Sequence, residues 1–252
     1  MIAVISQAAP QRLADALRAR GYAVVALPPF DALDAPVASH PDMLLLHLGT
    51  QLFCPAAYVA RADAAPVLAS LARQTGLQLT PLPSDEVFSA QYPNDVRLNV
   101  LLCGSVCFAL PSGISPTVRS AAQRASLSFV PVRQGYAHCS SQILTAPDGT
   151  HALITADVGM AQAAKRVDVP TLLLPSDTVF LAGYAGRGGL VGGATGFDEQ
   201  AHTLYLCGMP PPTVLDDLHA FCLAHDCRCH PLTDEPWYDV GGIQFYSDTS
   251  DP

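Results

Sequence analysis

The chain has 252 residues, half of them hydrophobic and 14% charged, with a formal net charge of −9. That length can bury an extensive core, and the composition excludes a disordered chain. The acidic balance and the lack of any Lys/Arg cluster exclude nucleic acid as a partner, because a phosphate backbone would be repelled.

No apolar run approaches the roughly 18 residues that a bilayer span needs, so no membrane association is expected. The first six residues, Met1-Ile2-Ala3-Val4-Ile5-Ser6, lack the basic start and long apolar stretch of a signal peptide and read as a first strand. A cytoplasmic location follows, with the eight cysteines mostly reduced.

In chain order, that strand leads into an amphipathic helix over 11–20 and then into Val24-Val25-Ala26-Leu27-Pro28, a short apolar strand closed by proline. The closing phrase recurs as Leu79-Thr80-Pro81-Leu82-Pro83, Phe129-Val130-Pro131-Val132, Leu172-Leu173-Leu174-Pro175 and Cys229-His230-Pro231-Leu232. The spacing is roughly 45 to 55 residues, a repeat length typical of propellers and similar arrays. Each copy follows a helical pattern, at 65–74, 116–125, 160–166 and 213–225, with apolar residues three and four apart. Ser115 before Pro116 supplies a helix start, and Gly21 and Gly76 supply stops.

Before each of these helices lies a predicted strand pair with a turn between. The pairs are 43–48 with 51–54, 96–102 with 106–110, 139–145 with 151–155, and 190–196 with 203–207. Gly49-Thr50, Gly104-Ser105, Pro147-Asp148-Gly149 and Asp198-Glu199 are turn formers. The C-terminus adds one unpaired strand, 240–246, and the N-terminus begins with another, so one unit is shared between the two ends. The expected fold is one α/β domain over 1–252, a five-bladed α/β propeller closed by pairing of the N- and C-terminal strands. An open sheet of ordinary βα units is the competing architecture, and Ser6-Gln7-Ala8-Ala9-Pro10 lacks the glycines of a dinucleotide-binding turn.

A fivefold array in this unit order resembles the pentein fold of the guanidino-group-modifying enzymes, the deiminases, dimethylargininases and amidinotransferases. The segments Tyr92-Pro93-Asn94-Asp95-Val96-Arg97-Leu98-Asn99, Gln134-Gly135-Tyr136 with Cys139-Ser140, Thr155-Ala156-Asp157-Val158-Gly159, Gly192-Gly193-Ala194-Thr195-Gly196 and Asp239-Val240-Gly241-Gly242 are similar to an uncharacterised bacterial family of that fold. The resemblance runs from about Pro41 onward and implies a cysteine that attacks a guanidinium carbon, a histidine that moves protons and acids that grip the nitrogens. The chain departs from the pattern after Gly241-Gly242, where Ile243-Gln244-Phe245 replaces the expected His-Cys pair.

His138-Cys139-Ser140 looks locally like the missing pair, two units away. A cysteine nucleophile needs its thiolate and a neighbouring base. Adjacent strand residues point to opposite faces, so His138 cannot serve Cys139 directly, and His47 from another unit is the better-placed base. His47, Asn99, Ser140 or Ser141, and Gln244 interrupt otherwise apolar first strands, and buried polar groups need partners. Asp42, Asp95 and Asp239 stand at strand entrances, and Asp157 follows a second strand. Carboxylates there suit a guanidinium, whose forked N–H donors match their oxygens. The catalytic candidates are therefore Cys139 and His47, and the binding candidates are Asp95, Asn99, Asp157, Ser140, Gln244 and Asp239.

The expected partner is a small molecule, with cationic chemistry favoured, and no cofactor or metal is expected. The glycines of Arg187-Gly188-Gly189-Leu190-Val191-Gly192-Gly193 read as places of close backbone approach rather than a phosphate loop. Cys222, His225, Cys227, Cys229 and His230 match no standard closed zinc spacing. Two functions remain open: an enzyme of the hydrolase or amidinotransferase type, and a catalytically inactive protein that binds a small molecule or a protein. The sequence leaves the oligomeric state open.

Overall fold

A computed structural model describes residues 1–182 and 188–249. The chain runs β1 (Ile2–Ser6), α1 (Gln11–Arg18), β2 (Ala23–Leu27), α2 (Pro41–Leu44), β3 (Leu46–Leu48), β4 (Gln51–Cys54), α3 (Ala56–Val59), α4 (Ala65–Thr75) and β5 (Gln78–Pro81). It continues with β6 (Leu101–Cys103), β7 (Val106–Ala109), α5 (Pro116–Arg124), β8 (Ser128–Pro131), β9 (Ser141–Thr145), β10 (His151–Thr155), α6 (Val158–Lys165) and β11 (Thr171–Leu173). The last part is β12 (Phe180–Leu181), β13 (Thr195–Asp198), β14 (Thr203–Leu206), α7 (Pro212–Ala224), β15 (Arg228–Pro231), β16 (Tyr238–Asp239) and β17 (Gln244–Tyr246).

Five sheets repeat one plan. In β3-β4-β5, β6-β7-β8, β9-β10-β11 and β13-β14-β15 an antiparallel hairpin is followed by helical crossover to a parallel third strand. The fifth, β17-β1-β2, takes its antiparallel strand from the far end of the chain, with Ile2 opposite Tyr246 and Val4 opposite Gln244. The repeat and the pairing of the termini are therefore as the sequence pattern has them.

The closed five-bladed, pentein-like propeller is not. The sheets stay separate, none closes into a barrel or propeller, and the fold is a mixed α/β arrangement of five three-stranded sheets and a two-stranded β12-β16 ribbon. The reason lies in strand length: strands of two to five residues complete their ladders within their own sheet. Hydrogen bonds from one unit to the next run largely through loops.

The crossover helices form where the pattern places them. Ser115 Oγ accepts from the Val118 amide at 3.1 Å and Pro116 opens α5, while Gly76, at φ 68°, ends α4 in the left-handed conformation that an L side chain resists. Each helix buries one stripe, such as Leu13, Ala14 and Leu17 of α1 or Val214, Leu218 and Cys222 of α7.

The segments leading into the first strands differ from the pattern. Of the expected strands, 43–44 belong to a helical turn at Pro41–Leu44, Val96 ends a 3₁₀ turn at Asn94–Val96, Gly192–Ala194 is a 3₁₀ turn, and β9 starts only at Ser141. Likewise 240–246 yields strand only at Gln244–Tyr246. Proline at 41 and 93 and paired glycines at 192–193 and 241–242 favour turns over a pleated run. These lead-ins carry the site.

Candidate functional site

The five lead-ins are stitched to one another. Asn99 sits at the junction: its Nδ2 donates to the Asp42 carbonyl at 3.1 Å and to Cys139 Sγ at 2.8 Å. Its Oδ1 accepts from the amides of His138 and Cys139, at 2.7 and 3.2 Å. The Gly193 amide donates to the Cys139 carbonyl at 2.9 Å, and the Gly193 carbonyl accepts from Val240 and Gly242 at 2.9 and 2.7 Å. The Asp42 amide donates to the Gly241 carbonyl at 3.3 Å, which returns the circuit to its start.

Such close backbone approach requires glycine. A Cβ on Gly192 would lie 2.5 Å from the Ser141 carbonyl oxygen and 2.8 Å from that of Cys139, so no side chain fits there. Gly189, Gly192 and Gly193 thus serve close approach, as the sequence reading has it, whereas Gly188 has open space at its Cβ position; Arg187 lies outside the described residues.

One side of the circuit holds an acidic cluster. Asp42, Asp239, His40 and Cys139 are all buried, each 4% exposed or less. Asp239 is anchored by the amides of Gly241 at 3.0 Å and Leu190 at 2.8 Å. Neither oxygen of Asp42 has a hydrogen-bond partner of ordinary geometry among the described residues, although the Cys139 thiol lies against it. Nor does any described Lys or Arg pair with either acid: the nearest base is His40, whose Nδ1 is 4.0 Å from Asp42 and 3.8 Å from Asp239.

Desolvation dominates these groups. Burial, then the neighbouring Asp239, pushes the Asp42 carboxyl well up, and burial raises Asp239 as well. Burial lowers His40, against the pull of Asp239, so it stays uncharged and supplies no counter-charge. The Cys139 thiol is driven well up by burial and by the two carboxylates, with the Asn99 N–H as the opposing influence. Burial thus shifts each of these groups toward its uncharged form.

The sequence candidates divide. Cys139, Asn99 and Asp239 come together, joined by Asp42 and by His40. His40 went unmarked in the sequence because its meaning depends on Asp239 at the other end of the chain. Asp95 stands one residue removed: it accepts from Tyr136 Oη at 2.5 Å, and Tyr136 packs in the same cluster as Cys139. Its other oxygen is buried and unpartnered, and burial raises its carboxyl. Asp157 is a helix cap, accepting from the Met160 amide and from Gln134 Nε2, both at 2.8 Å. Ser140 Oγ is spent on the Ala137 carbonyl at 3.2 Å.

His47 does not meet Cys139 and is not its base. It is exposed, its Nε2 bonds the Gly49 carbonyl oxygen at 2.8 Å, and its ring lies 5.7 Å from that of Tyr246. Together with Gln244 it lines a separate cavity of about 680 Å³ on the other side of the circuit. His138 faces that cavity too, so the neighbours His138 and Cys139 do point apart. They do so from a turn, not from the strand that the sequence suggested.

Among the described residues no three of His, Cys, Asp or Glu are grouped as metal ligands, and no helix is long and apolar enough to cross a membrane. No curated protein matches the chain. A family model does, over residues 4–244, and with nearly the whole length covered the chain belongs to that family of unknown function, DUF6873.

Proposed function

We propose that the protein binds a small guanidinium- or amidine-like cation between Asp42 and Asp239, with Cys139 at its side. The observation that carries this reading is the Asp42 carboxyl, buried against the Cys139 thiol with neither oxygen in a hydrogen bond of ordinary geometry, beside a second acid and with no described Lys or Arg to neutralise it. A buried charge without a partner is costly, and the cheapest remedies are a proton or a cation. A planar cation with forked N–H donors satisfies two carboxylates at once.

Because the site is sealed when empty, binding requires an opening step and is slow for its affinity. Calorimetry with agmatine, N-methylguanidine and benzamidine is the test. At least one should bind, and Asp42→Asn should weaken it a hundredfold or more while the variant stays folded. No binding by any of the three, or undiminished binding to Asp42→Asn, overturns the reading.

The enzyme reading is the second, and the Asn99 N–H directed at Cys139 Sγ favours it, since that bond stabilises a thiolate. With a cation in place the thiol proton passes to Asp42, and Sγ bonds to the amidine carbon. The C–N bond then breaks, the amine leaves with that proton, and water releases the adduct. Amine release from a bound probe, lost in Cys139→Ala while binding persists, is its signature; a bound probe that stays intact leaves a binding protein.

A further inference from the structure

The cavity across the circuit is a different kind of place. Its floor is formed by Leu45, Val100, His138 and Ile243, of which three are chain neighbours of the circuit members Asn99, Cys139 and Gly242. Its walls come from the hairpin strands β3, β6, β9, β13 and β17, and its mouth is ringed by turn residues including Gly49, Gly104 and Glu199. At about 680 Å³ it has the size of a small-molecule site, and it opens beside turns rather than being sealed.

Its lining selects against charge. No Lys or Arg side chain lines it to pair with a phosphate or carboxylate, and its one acid is Glu199. The polar side chains that line it include the amides of Gln142, Gln200 and Gln244 and the imidazoles of His47, His138 and His151. Gln142 Oε1 accepts from Thr195 Oγ1 at 3.1 Å while its Nε2 donates to the Ile143 carbonyl at 2.8 Å, and Gln244 Oε1 accepts from Tyr246 Oη at 2.6 Å while its Nε2 donates to the Leu45 carbonyl at 3.3 Å, so both amides are oriented by the protein and each keeps one N–H and one lone pair for a ligand. Between them lie Ile143, Phe197 and Phe245, flat and aliphatic surfaces suited to a ring. His138 Nδ1 is shut off from the cavity and has no partner, which leaves the imidazole without a fixed tautomer and able to donate or accept at Nε2.

We infer that this cavity binds an uncharged, hydrogen-bonding ring compound of about nucleoside size, held by Gln142, Gln244 and His138. The inference is independent of the cation site: it assigns His47 and Gln244, candidates for guanidinium chemistry in the sequence, to another ligand.

Titration calorimetry with uridine and adenosine, against uridine 5′-monophosphate, tests it on the full chain. At least one nucleoside should bind, and the nucleotide should bind at least tenfold more weakly than uridine. Leu102→Trp, at a half-buried lining position, should fill the space and abolish nucleoside binding while agmatine binding is unchanged. Should that variant fail to fold, Gln244→Leu serves, with a loss of roughly fivefold to tenfold for one hydrogen bond. Failure of both nucleosides to bind at millimolar concentration, equal binding of the nucleotide, or binding that survives the folded variant overturns the inference. Loss of agmatine binding in Asp42→Asn with nucleoside binding intact separates the two sites.

Discussion

The two sides of the loop circuit are built from adjacent residues of the same segments, yet their chemistry is opposite. Asn99 and Cys139 belong to a dry acidic cluster, whereas Val100 and His138, one step away, belong to the floor of an open cavity. On the acidic side burial drives Asp42, Asp239 and Cys139 toward their protonated forms, and on the cavity side it drives His138 down to about 4. In each case burial favours the neutral form. Without a ligand, desolvation decides the charge state on both sides, and a ligand on either side must change that balance to bind.

Breaking the circuit should cost most. In Gly192→Ala the new Cβ meets only backbone, the carbonyl oxygens of His138, Ser141 and Cys139, which cannot move aside without parting the lead-ins. A loss of about 3 kcal/mol or more is expected in urea unfolding. Gly49→Ala, at the cavity mouth, has open space around its Cβ and suffers only its φ of 62°, so about 1 kcal/mol is expected. Comparable losses for the two would show that the circuit is not what holds the sides together.

His138 sharpens the contrast at low pH. Its folded value lies near 4, below the ordinary 6.5, so the folded protein binds fewer protons than the unfolded chain in that window. Stability from this group is complete above about 6.5 and is lost as pH falls toward 4, to a total of up to about 3 kcal/mol. His138→Gln should flatten that part of the stability profile when unfolding is followed between pH 7 and 4. An unaltered profile would place the acid sensitivity elsewhere. An effect of opposite sign belongs to Asp42, whose raised folded value means that stability falls as pH rises.

Much of the architecture was legible because it repeats. Helix periodicity, Ser115-Pro116 and Gly76 marked real boundaries, and the unpaired strand at each end signalled the β1–β17 pairing. The lead-ins were misread as strand because a short apolar run looks the same in either conformation until tertiary packing selects one. The propeller was an overreach of the same repetition: equal units do not by themselves close a ring of sheets.

In the site, Asn99 was marked as a polar residue interrupting an apolar strand, Asp239 as a carboxylate at a strand entrance and Cys139 by its local likeness to the missing His-Cys pair. Asp157 misled because a helix cap and a ligand anchor use the same residue type. His47 misled because it lies in β3 as expected, whereas Cys139 lies in a turn before β9, so the two do not share the strand face that was assumed for them.

The central claim is that burial raises Asp42 and Asp239 in the empty protein and that a bound cation draws protons from them. Calorimetry of agmatine binding in two buffers of different ionisation enthalpy, repeated across pH, tests it most directly. The account predicts net proton release on binding at neutral pH, affinity that rises with pH, and loss of the proton release attributable to Asp42 in Asp42→Asn. Binding with no proton exchange and no pH dependence would contradict it.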